Sequence, residues 1–217
     1  MGFELDHLLI FTVPGAPVAD RLARAGLLTG TPNDHPGQGT ANRRVFFANA
    51  YLEFLFPTDP DALASHLVAP TGIGPRFRGG CPLGAALRGV AGQSPSFPTW
   101  QYRPPYLPKG ASILMATSSG VAQEPLIFVV PFGQRPDQWP LDRAQPLDHP
   151  AGSRLIRSVR LAGPWPVPPS PALEALAAVP DVTVATQGEY HVHVVLNPGP
   201  GNQFLDLRPD VPMLVSW

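Results

Sequence analysis

The chain has 217 residues, a formal net charge of −1 and 44% apolar residues. That composition is globular, and it excludes a disordered segment and a basic nucleic-acid-binding surface. Lys109 is the single lysine, and no basic or long apolar run exists to hold or cross a membrane.

The first element in chain order is ELDHLLIF, 4–11, read as a strand. Strict alternation places His7 on the face of Leu5, Leu9 and Phe11, and Asp6 on the other. PGAPVADRLARAG, 14–26, reads as a short amphipathic helix. Its prolines sit near the start, Gly26 lies past the end, and Val18, Leu22 and Ala25 form one stripe. A polar loop, 31–42, leads to the strands RRVFFA, 43–48, and YLEFLF, 51–56, joined by a tight hairpin at Asn49-Ala50.

A similar order recurs twice. PLGAALRG, 82–89, opens a second stretch with later strands ASILMAT, 111–117, and PLIFVVP, 125–131. A proline-rich loop stands where its helix would go. SRLIRSVRLAG, 153–163, opens a third, with a helix at 171–179 and strands at 182–186, 189–196 and 203–208. Laying YLEFLFP over PLIFVVP puts Ile127 at the Glu53 position. Matching the aromatic-Leu-acid pattern of Tyr51-Leu52-Glu53 to the third stretch puts Asp206 there. The expected organisation is therefore a region 1–150, with unit one at about 4–57 and unit two at about 82–131. A further unit at 151–217 either packs on the rest or forms a dimer interface. Thirty prolines, ~14% against a typical ~5%, keep the elements short.

Cys81 is the single cysteine, so no internal disulfide forms. The start MGFELD has neither a basic segment nor a signal-type apolar core, and the expected compartment is the cytoplasm. His191 and His193 share the polar face of a strand with Glu189, a solvent-facing pattern. Asn197 stands where a cupin-type metal pair would want Glu. GQG, 37–39, follows no strand of a dinucleotide fold, and Ser118-Ser119 lack a nucleophile elbow.

Four segments carry a family resemblance: LDHLLIF, DHPGQGTANRRVFFANAYLEFL, WQYRPPYLP and HPAGSRLIRSVRL. Together they resemble the glyoxalase-like branch of the vicinal oxygen chelate superfamily over most of residues 4–162. The resemblance implies an α+β fold of βαβββ modules, paired within a chain or across a homodimer. The modules form a curved, cup-like mixed sheet with helices outside and the site inside. It also implies metal ligands on the first and last strand of each module. His7 and Glu53 occupy those positions in the first unit, Asp206 is a third candidate, and Glu53 is also a candidate base.

Imidazole and carboxylate together suit zinc, iron, nickel or manganese. The corresponding places near Gly84, at Ile127 and near Ser158 carry no donor. Asn42, Arg43, Trp100, Tyr102, Arg103 and Tyr106 are the candidate ligand-binding residues, since arginine binds carboxylate and aromatics wall a pocket. Arg43 and Arg44 point to opposite faces, so one of them enters the cup. Two functions follow for a small oxygen-rich or carboxylated ligand. One is a divalent-metal-dependent lyase, isomerase or dioxygenase. The other is a metal-free binding or sequestration protein of the bleomycin-resistance type. Neither involves nucleic acid or a membrane.

Overall fold

The computed structural model describes residues 2–89, 93–186, 188–197 and 203–217. Eight strands form the first sheet: β1 Glu4–Phe11, β2 Asn33–His35, β3 Thr40–Phe46, β4 Tyr51–Pro57, β5 Leu83–Arg88, β6 Thr99–Tyr102, β7 Ile113–Ala116 and β8 Leu126–Val129. Their order is β2-β3-β4-β1-β5-β8-β7-β6. β1 runs parallel to β4, and β4, β3 and β2 pair antiparallel. The other half repeats this, with β5 parallel to β8, then β7 and β6 antiparallel. The antiparallel pair β1–β5 joins the halves into a strongly curled half-barrel. The first two sequence units are thus the two halves of one sheet. Helix α1, Val18–Arg24, serves the first half, while no helix separates β5 from β6 among the described residues. Between β4 and β5 lie two short helices, α2 Pro60–Ala64 and α3 Ile73–Arg76. Asp59 caps α2 by accepting from Asp61 N–H and Ala62 N–H.

Period-two alternation gives the curled sheet two apolar faces. Leu8, Ile10, Leu52, Phe54, Ala85 and Ile127 go to the convex side with Val18 and Leu22 of α1. Leu9, Phe11, Leu55, Ala86, Met115, Leu126 and Phe128 go to the concave side. Ile127 therefore packs outward and is not the counterpart of Glu53. The concave positions of β8 are Leu126 and Phe128, because the motif overlay was one residue out of phase.

The third stretch differs from the first two. It holds β9 Ile156–Gly163, α4 Pro171–Ala177, β10 Val182–Thr186, β11 His191–Leu196, β12 Phe204–Asp206 and β13 Met213–Ser216. The order is β10-β9-β11-β13-β12. Here the strand after the helix pairs directly, in parallel, with the strand before it. In the first unit the strand after the helix lies at the far edge. β13 is a strand the sequence pattern did not announce, and it pushes β12 to the edge of its sheet. Val159, Leu161, Val192, Val194, Met213 and Val215 share one core with the convex face of the first sheet. Among the described residues, no helix is long and apolar enough to cross a membrane.

Two side chains fasten the sheets and their connection. Asn49, the hairpin residue, donates to Ile156 O at 2.8 Å and accepts from Ile156 N–H at 3.0 Å. His149 Nδ1 accepts from Leu28 N–H at 3.0 Å, so its proton sits on Nε2 and goes to Phe46 O at 2.8 Å. Asn49→Ala strands both backbone groups of Ile156, and about 1–3 kcal/mol of stability should be lost in urea unfolding. Burial lowers the pKa of His149 below its ordinary 6.5. The unfolded chain then binds more protons, so this contribution is complete above pH 6.5 and falls on acidification. Urea midpoints measured from about pH 6.5 down to 5 (from the unfolded pKa to roughly one and a half units below it) should fall for wild type and fall less steeply for His149→Gln.

Candidate functional site

The site begins with an irregularity in β1. Against β4 its register is unbroken, with His7↔Tyr51, Leu8↔Leu52 and Leu9↔Glu53. Against β5 the register runs Leu5↔Leu87 and then His7↔Ala86, so Asp6 is an extra residue. A bulge of this kind re-aims the neighbouring side chains. Leu5 joins the convex core, and Asp6 turns to the concave side beside His7. This corrects the strict alternation expected of ELDHLLIF.

Asp6 Oδ1 lies 2.7 Å from His7 Nδ1, and Asp6 Oδ2 lies 3.6 Å from Arg88 Nη1. Arg88 is itself held by Glu4 and by Asn49 O. On the other side, His7 Nε2 is 3.0 Å from Glu53 Oε2. Glu53 Oε1 accepts from Asn42 Nδ2 at 2.6 Å, and Asn42 Oδ1 accepts from Asn33 N–H at 3.0 Å. Asp6, His7 and Glu53 are 6%, 4% and 5% exposed, so their charges are shielded from water. Burial opposes charge on His7, yet its bonds to Asp6 and Glu53 prevail and raise its pKa to about 9. Burial likewise opposes ionised Glu53, and the His7 bond prevails there, lowering its pKa to about 2. His7 is an imidazolium between two carboxylates.

A second chain of bonds reaches Glu53 from the β2–β3 turn. Tyr102 and Tyr106 hydroxyls donate to Gln38 Oε1 at 3.1 and 3.0 Å. Gln38 Nε2 donates to Thr40 Oγ1 at 2.8 Å, and Thr40 Oγ1 is 2.9 Å from His35 Nδ1. Thr40 then gives its proton to Nδ1, and His35 Nε2–H faces Glu53 Oε1 at 4.0 Å. His35 is neutral, because burial lowers its pKa. The turn closes tightly on the proline-rich loop. Gly37 has φ of +78°, and a Cβ there would come within 2.5 Å of Pro105.

These groups form the closed end of a cavity of about 380 Å³. Leu9, Leu55, Ile113, Met115, Leu126 and Phe128 wall its middle, and Arg44, Trp139 and Arg143 stand at the open end. His7 stacks on Tyr51 at 4.3 Å and meets the edge of Phe128 at 5.7 Å.

The structure brings His7, Glu53, Asn42, Tyr102 and Tyr106 together. It moves the others elsewhere. Arg43 points to the convex side, where it binds Asp20 at 2.7 Å and Ala16 O at 3.3 Å. Arg44 enters the cavity instead, since alternation puts it on the face of Asn42. Trp100 packs behind the concave cluster, and Arg103 is exposed and bonded to Gln101. Asp206 lies on the edge strand of the other sheet, paired with Arg208 at 2.7 Å. It is no partner for His7 and Glu53, which lie on β1 and β4 of the first sheet and line a cavity that Asp206 does not border. His191 and His193 lie half-buried on that sheet, where His193 Nε2 meets Ser216 Oγ at 2.9 Å. Arg44 was one of the two arginines left open for the cup, and its spacing from Asn42 was the signal that could have chosen it. Asp6, Gln38, Trp139 and Arg143 were not anticipated.

A resident divalent metal fits this donor set poorly. His7 and Glu53 supply two donors. Among the described residues no group of three His, Cys, Asp or Glu side chains is arranged to hold an ion. The facing half of the cup presents Ala86, Leu126 and Phe128, which carry no donor atoms.

The Glyoxalase-like domain family matches residues 5–105. No curated protein matches the chain. Among solved structures, a hypothetical protein from Staphylococcus aureus is 10% identical, covers 98% of each chain and has a TM-score of 0.59, a likeness of fold. Streptomyces coelicolor methylmalonyl-CoA epimerase in complex with 2-nitronate-propionyl-CoA is 14% identical over 60% of this chain and 97% of that one, with a TM-score of 0.44. The Mycobacterium tuberculosis methylmalonyl-CoA epimerase is 14% identical over 58% and 86%, with a TM-score of 0.41. The family match covers β1 to β6, including the β1–β5 pair that joins two like units into a cup, so this part of the chain is similar to a glyoxalase-like domain.

Proposed function

We propose that this protein binds a small oxygen-rich or carboxylated molecule in the cup, and that it does so without a metal. One observation carries the reading. Both nitrogens of His7 and both oxygens of Glu53 already have protein partners, while the positions facing them across the cup are Ala86, Leu126 and Phe128. The closed end is thus a fixed polar floor, able to hydrogen-bond ligand oxygens through the rims of Asn42, His35 and Tyr106. The apolar middle takes the body of the ligand. His7 and Glu53 can also pass a proton to and from a bound oxygen, which would suit isomerase or lyase chemistry.

The second reading is a lyase, isomerase or dioxygenase dependent on zinc, iron, nickel or manganese. It is favoured by Asp6 behind His7 Nδ1, the arrangement that orients metal-bound histidines. Metal content separates the two. Untagged protein exposed to zinc, manganese, nickel and iron, then desalted, should carry no stoichiometric metal by mass spectrometry. Wild type and His7→Ala should give the same result. Stoichiometric metal that disappears in His7→Ala would overturn the metal-free reading.

The ion pair also predicts an alkaline limit. The pKa of His7 is raised from 6.5 to about 9, so its contribution is complete below pH 6.5 and lost as pH rises through 9. That of Glu53 is lowered from 4.5 to about 2, so its contribution is present above pH 4.5 and lost as pH falls through 2. The urea midpoint of wild type should fall between pH 6.5 and about 9, and His7→Gln should flatten that limb. An unchanged slope would show that the pair is not charged in the folded protein.

A further inference from the structure

Two cations at the open end of the cup have no carboxylate to answer them. Asp6 and Glu53 are the carboxylates among the described cavity-lining residues. Both are already matched, Asp6 by His7 and Arg88, and Glu53 by His7 and Asn42. Arg44 and Arg143 line the same cavity from different segments, β3 and the connection after β8.

Thr31 ties the two segments together. Its carbonyl accepts from Arg44 Nε at 3.2 Å and Nη2 at 2.8 Å. Its N–H donates to Gln145 Oε1 at 2.9 Å, two residues beyond Arg143. Arg44 is further fixed 5.0 Å above the Phe46 ring, and Trp139 meets the same ring edge-on at 5.5 Å. A guanidinium has five N–H donors. The bonds to Thr31 leave most of those on Arg44 for a ligand, while the Arg143 side chain forms no ion pair among the described residues.

We propose that Arg44 and Arg143 form a carboxylate clamp at the mouth. The ligand would be a monoanion with a ring or branched apolar body, its carboxylate facing outward and its body lying between Phe128 and the Trp139 wall. This deepens, and rests on, the proposal that the cup binds a small molecule. A planar guanidinium matches a carboxylate bidentately, and a second anionic group pushed inward would meet the buried carboxylates of Asp6 and Glu53.

The test uses the full chain labelled with nitrogen-15 and follows the Trp139 indole N–H, which is bonded to Gln134 O at 3.0 Å. The probes are phenylacetate, 3-phenylpropanoate and 4-methylpentanoate, each beside its primary amide. The acids should shift the signal and bind about tenfold or more tightly than the amides, as expected for a charge-assisted bidentate pair. Arg143→Gln and Arg44→Gln should each narrow that preference, and Arg157→Gln on the second sheet should leave it intact. Equal binding of acids and amides, or a preference unchanged in both cup variants, would overturn the clamp while leaving a binding cup. If no acid and no amide moves the signal, the clamp and the binding reading fail together.

Discussion

A buried imidazolium between two carboxylates is the constraint around which the first sheet is organised. Charges this far from water must be paired and hydrogen-bonded, or they neutralise. Asp6, His7 and Glu53 meet the demand by drawing on three strands: β1 carries two of them side by side, β4 the third, and Arg88 on β5 closes the rear. The bulge at Asp6 makes this possible. A regular strand would have sent Asp6 into the convex core, where an unpaired carboxylate among leucines could not remain charged.

The rest of the cup extends this cluster outward in layers. Asn42 and His35 contact Glu53, Gln38 and Thr40 hold His35, and Tyr102 and Tyr106 hold Gln38. Each of these side chains has at least one hydrogen-bond partner, which holds the floor in place. Proline serves the same end. Pro105 sits against Gly37, so the proline-rich loop is packed on the β2–β3 turn, and Tyr102 and Tyr106 emerge from a stiff support. Polar floor, apolar middle and cationic mouth are the three features on which the proposed binding of a small molecule rests.

Much of the fold was legible in the chain. Apolar runs marked β1, β4, β8, β9, β10 and β11, and two prolines and a glycine bounded α1. The site was legible where identity mattered more than placement: a histidine and a glutamate inside apolar strands are conspicuous. Arg43 was chosen over Arg44 although Asn42 already defined the inward face two residues earlier. Asp206 was aligned with Glu53 on a three-residue pattern that carries no information about which strands neighbour one another. Trp139 and Arg143 lie in a proline-rich connection without periodicity, and nothing local announces that it borders the cup.

The sequence by itself determined much of the strand alphabet, the recurrence of the first unit's pattern and the presence of His7 and Glu53 in apolar surroundings. Those follow from side-chain period and burial cost, which are local. Only the tertiary structure decided that Asp6 stands behind His7, that the third stretch builds a separate five-stranded sheet, and that Arg44 and Arg143 share a mouth. Each of these depends on register between strands far apart in the chain. Register is fixed by the packing of whole faces against one another, so no short segment encodes it.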